Sequence, residues 1–313
     1  MKDRVNTSSV ARKGGRLLIV GVMVLALPVP HLVVWAADRA FTVAPDKIES
    51  GVRIWTDVAY SAEDPKFQKM DVYAPNDNKT HPILVFVHGG GWYGGDKSRS
   101  AKTGMGFAQN KVITAVLNYR LAPQWKHPAA VQDLAAAIAW LQKNAASMGG
   151  DSRSIFVVGH STGTHSAALV VTDSKYLTAV DVPVTAVRGA IMLDGCCYLM
   201  SGETMSEGAK RTATAIFGPG ENAWLEASPE RHLSKGSGTP PFLVVYASVA
   251  DKDRQEAKKK SAEDFAAALR AADVPVEVLR AQDSHGQMEV WFGTPGDTMT
   301  GDVLRFIHKN QSR

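Results

Sequence analysis

The residues with the clearest chemical signature are Gly159-His160-Ser161-Thr162-Gly163. They follow the apolar run SIFVV and open a small-residue stretch of helical character, 162–171. A G-x-S-x-G string between a strand and a helix marks a tight turn that lifts a serine hydroxyl above a sheet. The helix N-terminus beneath it favours developing negative charge. A second string, His88-Gly89-Gly90-Gly91-Trp92, ends the apolar run PILVFV. Three glycines let backbone N–H groups point into a cavity, and acyl transfer needs such donors where the tetrahedral oxyanion forms. Gly90, Gly91 and Thr162 are the expected donors, with Gly89 a close competitor; His88 is expected to pack under the loop.

A serine nucleophile needs a base, and the base an orienting acid, in the chain order Ser, acid, His. Of the nine histidines, His31 is in the leader, and His81, His88, His127, His160 and His165 precede or adjoin Ser161. His232 comes before the acid is due. His308 lies late in a predicted helix. His285 remains, in the segment AQDSHGQM after the strand VPVEVLR, where a mobile imidazole can reach Ser161. The acid is expected just after PFLVVYA, as Asp251, with Asp253 the alternative. Asp194 ends the run AVRGAIMLD and faces the same end of the sheet; it either shapes the pocket or stands in as the acid. Asp283 is too near His285 and reads as a turn residue. In these roles Ser161 attacks an acyl carbon, His285 carries the proton and the acid fixes the imidazole tautomer.

The elements that must position these groups are legible as alternation. Residues 52–60 and 67–74 read as an opening hairpin. Apolar β-rich runs at 82–87, 112–118, 154–159, 186–194, 241–247 and 274–280 alternate with helical patterns at 129–145, 162–171, 255–271 and 299–310. Runs buried on both faces with helices between them describe an α/β fold with a mostly parallel sheet, whose sites sit at the carboxyl ends of the strands. Residues 198–240, punctuated by Gly, Pro and Ser, read as an excursion over one end of the sheet.

Composition sets limits. The chain has 313 residues, 45% hydrophobic and 21% charged, with 2 cysteines. That excludes disorder and a disulfide framework, and adjacency makes Cys196 and Cys197 a poor bridging pair; both read as small apolar wall residues. No Cys/His spacing fits a structural zinc site. The net charge of +4 arises in residues 1–36, where Lys2, Arg4, Arg12, Lys13 and Arg16 face only Asp3. The remaining body is neutral, which argues against nucleic acid as a partner. Residues 17–36, LLIVGVMVLALPVPHLVVWA, follow that basic segment and read as the apolar core of a signal peptide, cut before Ala37. An uncleaved membrane anchor is the alternative and a buried helix the third; any membrane contact is expected through residues 17–36 alone. Residues 37–313 are expected to form one catalytic domain, secreted, periplasmic or anchored by the leader.

HGGGW, NYRLAP (118–123), GHSTG, ASPERHL (227–233) and SHGQM together resemble the α/β-hydrolase esterases, over residues 50–310. The likeness is to carboxylesterases and lipases with a hormone-sensitive-lipase-like HGGG loop, and with MDVYAP to their small, largely uncapped branch of feruloyl-esterase-like and arylformamidase-like members. The resemblance implies an α/β-hydrolase fold with helices on both faces and a small or absent cap. It also implies cofactor-free hydrolysis of small esters, with Ser161, Asp251 and His285 as the triad. Thr162 departs from the usual Ala, and Ala247-Ser248 from the usual His-Gly. A formamide bond is the second enzyme reading, and a ligand-binding protein on a hydrolase scaffold is the third.

Overall fold

The computed structural model describes Phe41 and residues 43–312. The leader, and with it the signal-peptide or anchor expectation, lies outside the described residues. Nine strands form one sheet: β1 (Lys47–Glu49), β2 (Val52–Ala59), β3 (Lys69–Pro75), β4 (His81–Val87), β5 (Ile113–Leu117), β6 (Gly150–His160), β7 (Val187–Leu193), β8 (Phe242–Tyr246) and β9 (Val276–Arg280). Their order is β1-β2-β3-β5-β4-β6-β7-β8-β9. The β1 to β3 meander joins β5 antiparallel, and every pairing from β5 to β9 is parallel. The expected mostly parallel sheet is therefore present, with the predicted hairpin as its antiparallel extension.

The helices are α1 (Ala101–Gln109), α2 (Ala129–Asn144), α3 (Gly163–Thr172), α4 (Lys175–Thr178), α5 (Glu207–Phe217), α6 (Glu221–Glu226), α7 (Lys252–Ala271), α8 (His285–Trp291) and α9 (Thr298–Asn310). They cover both faces. Ile83, Val85, Val87 and Val157 bury against α2, α3 and α7. Leu84, Phe86, Phe156 and Val158 bury against α1, α8 and α9. Alternate strand residues thus enter two different cores, which is why the central strands carry no polar alternation. Among the described residues no helix is long and apolar enough to cross a membrane.

Helices α1 and α8 depart from the sequence reading in ways that bear on the packing and the site. Helix α1, AKTGMGFAQ, carries two glycines and so has weak helical propensity. Packing explains them: a Cβ on Gly104 would strike the Tyr73 ring, and one on Gly106 would overlap the Gly293 carbonyl. The second is α8, which begins at His285 where a loop was expected. Ser284 and Gln287 form a capping box that starts it.

The 198–240 excursion holds α5 and α6 around a small core of Met200, Ala213, Trp224 and Ala227. Ile216 packs with Trp92 and Ala122, so this modest cap rests on the HGGGW loop.

Candidate active site

Strand β6 ends at His160, and Ser161 turns the chain with φ +53° before α3 begins. A positive φ is strained for a non-glycine residue, and such strain persists only where the surroundings over-determine it. Here they do. Ser161 N–H donates to Leu193 O on β7 at 3.0 Å, and Thr164 N–H donates back to Ser161 O at 3.1 Å. A Cβ on Gly159 would lie 2.5 Å from Gly163 backbone, and one on Gly163 2.3 Å from Val87 O. The G-x-S-x-G spacing is thus a record of three backbone segments in contact.

The HGGG loop follows β4, whose neighbour in the sheet is β6. Gly89 abuts Ser161, with room for no side chain between them. Buried His88 bonds Gly89 O through Nδ1 at 2.6 Å and stacks on Tyr119 at 4.5 Å, whose hydroxyl donates to His88 O at 2.8 Å. Tyr119 of NYRLAP therefore holds the loop from below. Gly91 N–H donates to Thr162 Oγ1 at 3.1 Å. One expected oxyanion donor is thus engaged by the residue that departs from the usual Ala. Among the described residues the Gly90 and Thr162 N–H groups meet no hydrogen-bond acceptor.

His285 is the first residue of α8. Its Nδ1 lies 2.6 Å from Asp194 Oδ2. Asp194 follows β7, adjacent to β6, with φ +46°, its own N–H bonded to Val245 O. Its Oδ1 accepts Ala247 N–H at 2.9 Å, and Oδ2 also receives Lys258 Nζ of α7 at 2.5 Å. Burial pushes the Asp194 carboxyl up, but hydrogen bonds from His285, Lys258 and the Ala247 amide outweigh it and hold it down to about 2. An ionised Asp194 requires the proton on Nδ1 and leaves Nε2 free to accept one. Among the described residues no hydrogen bond joins Ser161 Oγ to His285; such contacts commonly tighten only with substrate bound.

The expectation that Asp251 would meet His285 is corrected. Asp251 is exposed and caps α7, accepting Arg254 N–H at 2.8 Å. Asp253 is exposed in the first turn of the same helix. The ordinary job of an aspartate before a helix, satisfying its free N–H groups, has claimed Asp251. The carboxylate on the imidazole is Asp194, which its place at the carboxyl end of a parallel strand had marked. His285, expected in a loop, opens α8 and bonds Asp194. Sequence reading missed Lys258, read as part of a solvated face, and His160, whose ring lies 4.6 Å from that of His285 and whose Nε2 bonds His285 O at 3.1 Å.

A family model, BD-FAE, matches residues 70–263, which hold the HGGG loop, Ser161 and Asp194. The chain belongs to the BD-FAE family. An isoprenylcysteine alpha-carbonyl methylesterase of Arabidopsis thaliana is 27% identical over 77% of this chain and 59% of its own. A kynurenine formamidase of Danio rerio is 25% identical over 78% of each chain. This BD-FAE member thus spans about three fifths of the first relative's length. The inhibited esterase B of Lactobacillus rhamnosis aligns with a TM-score of 0.70, at 20% identity, over 85% of this chain and 88% of that one. That likeness establishes the α/β-hydrolase fold.

Two further groups have structural accounts. Asp173, Glu226 and His232 bring potential ligand atoms within 4.8 Å of one another, but Lys175 Nζ sits on the two carboxylates at 2.7 and 2.6 Å. That is an ion-pair cluster around an ammonium. His127, His160 and His165 are held down to about 3, 4 and 4, first by burial and, for His127 and His160, also by a neighbouring histidine. Above pH about 6.5 they are neutral folded or unfolded; below it only the unfolded chain takes up their protons. Their contribution is therefore lost as pH falls from about 6.5 towards 4. At pH 5.5 the loss is about 4 kcal/mol for the three. Glu230, raised to about 7 by burial and then by Asp264, binds protons in the folded state over the same window and offsets about half of this. Urea unfolding should show about 2 kcal/mol less stability at pH 5.5 than at pH 7.5. A flat profile would contradict the buried, neutral state of these rings.

Proposed function

We propose that this protein is a serine carboxylesterase that works through an acyl-enzyme on Ser161, with His285 as base and Asp194 as the orienting acid. The observation that carries this reading is the 2.6 Å His285–Asp194 contact, with Ser161 at positive φ directly after His160, whose Nε2 bonds His285 O. Ser161 Oγ attacks the ester carbonyl as His285 Nε2 takes its proton. Asp194 stabilises the imidazolium that forms. The amides of Gly90, Gly91 and Thr162 receive the oxyanion, which displaces the Thr162 hydroxyl from Gly91 N–H. The imidazolium protonates the leaving alcohol, and water then repeats the sequence on the acyl-enzyme.

Substrates are esters of short or aromatic acids. The modest cap and the exposed apolar residues Tyr93, Leu199 and Trp291 support this. These residues follow the HGGG loop, Asp194 and His285 respectively, so each site segment ends in apolar surface. The formamidase relative favours a second reading, an N-aryl formamide cleaved by the same groups.

The test is hydrolysis of p-nitrophenyl acetate by the wild type and by Ser161→Ala. Loss of at least about three orders of magnitude in kcat/KM is expected. Across an acyl series, short chains and cinnamoyl-type esters should be preferred over palmitate. Activity surviving in the variant would move the nucleophile elsewhere. A wild type active only on an N-aryl formamide would decide for the second reading.

A further inference from the structure

Immediately after Asp194 the chain reads Gly195-Cys196-Cys197. The two thiols are half-buried, and their sulfurs lie 3.0 Å apart. Closing by about 1 Å would bring them to the S–S bond length of about 2.04 Å. Cys197 takes φ +66°, an unusual backbone for a side-chain-bearing residue, and this turn brings both side chains to one side. Both pack beside Trp92, Ile216 and Phe217, between the acid-bearing turn and the HGGGW loop. The hydrogen bond from the Cys197 thiol pulls the Cys196 thiol below its usual range, which makes Cys196 the better thiolate.

We propose that Cys196 and Cys197 form a reversible thiol–disulfide site that reacts with small disulfides of the glutathione type. Cys196 thiolate attacks one sulfur of the donor, forming a mixed disulfide and releasing one thiolate. Cys197, losing its proton to solvent, attacks Cys196 Sγ. The intramolecular S–S bond forms and the second donor thiolate leaves. Both electrons end on the donor, which is reduced to two thiols, and the protein loses two hydrogens. Adjacent Cα atoms stand about 3.8 Å apart, closer than the 4.4 Å or more that disulfides prefer, so the bond is strained. Strained disulfides are the readily reduced ones, which makes the site reversible and not a structural staple.

The full chain, incubated with excess glutathione disulfide, should lose two hydrogens by intact mass. The loss should map to the peptide holding both cysteines and be reversed by dithiothreitol. Cys197→Ser should instead accumulate the glutathione adduct on Cys196, because no neighbour resolves it. A wild type that keeps both thiols, or that accumulates the adduct as Cys197→Ser does, would overturn the proposal. The readout is mass, so the result stands apart from the esterase reading.

Discussion

Asp194→Asn is expected to lower kcat by about four orders of magnitude, while Asp251→Asn leaves it within a few-fold. The contrast follows from what each carboxylate touches. Asp194 Oδ2 faces His285 Nδ1, and only an acceptor there fixes the proton on Nδ1 and leaves Nε2 basic. An asparagine amide turned toward the ring would select the opposite tautomer, and Lys258, paired with the same oxygen, would lose its counter-charge. Asp251 meets one backbone N–H of α7. Its replacement by Asn keeps the cap, so stability should change by only a few tenths of a kcal/mol. Steady-state kinetics on p-nitrophenyl acetate check both variants. Equal losses, or the larger loss at Asp251, would reject the assignment drawn from the His285 contact.

The largest loss of stability is expected at Asp133→Ala. Asp133 is fully buried, and Arg120 is nearly so. Arg120 reaches the carboxylate with Nη2 at 2.8 Å and Nε at 2.9 Å, and its own N–H adds a 2.7 Å bond. Gln68 Nε2 donates to the same carboxylate at 2.7 Å. Removing one partner of a buried ion pair strands the other charge in a poorly solvated site, at a cost of about 3–5 kcal/mol. For a domain of this size that is roughly a 10 °C fall in Tm. Arg120 also spans the Trp125 ring and Glu63, so the stranded guanidinium keeps some partners and the lower end of the range is the better figure. The effect should reach the chemistry, because Tyr119 beside Arg120 supports His88 O. A loss below about 1 kcal/mol in urea unfolding would show that the carboxylate is dispensable.

Legibility in the sequence followed the kind of physics involved. The central strands were plain because burial on both faces leaves them mostly apolar, as in Ile83–Val87 and Ile155–Val158. Ser161 and the HGGG loop were plain because close backbone contact admits only glycine, and glycine is visible in a string of letters. Helix α1 was hidden for the same reason reversed, since Gly104 and Gly106 weaken a local helix signal to meet Tyr73 and Gly293. The carboxylate partner of His285 was misjudged because chain order and strand ends offer several aspartates. Which one meets an imidazole 91 residues away depends on where α7 begins. Once Lys252 opens that helix, Asp251 becomes its cap. Lys258 was unreadable from the sequence, since only the packing of α7 against β8 and β9 separates it from Lys259 and Lys260.

The turn at Ser161 is specified by subtraction. Gly159, Gly163 and Gly89 contribute no atoms of their own beyond the backbone, and the surfaces they leave bare are what fit together. The position of Ser161 therefore depends on main-chain atoms that every sequence supplies. Neighbouring side chains, Thr162 on Gly91 N–H and Trp92, Cys196 and Cys197 packed in one cluster, lie outside that contact set. A lineage or an engineer can change these positions while the serine hydroxyl stays where it is. Variable side chains and a fixed turn then have separate addresses in the same fold.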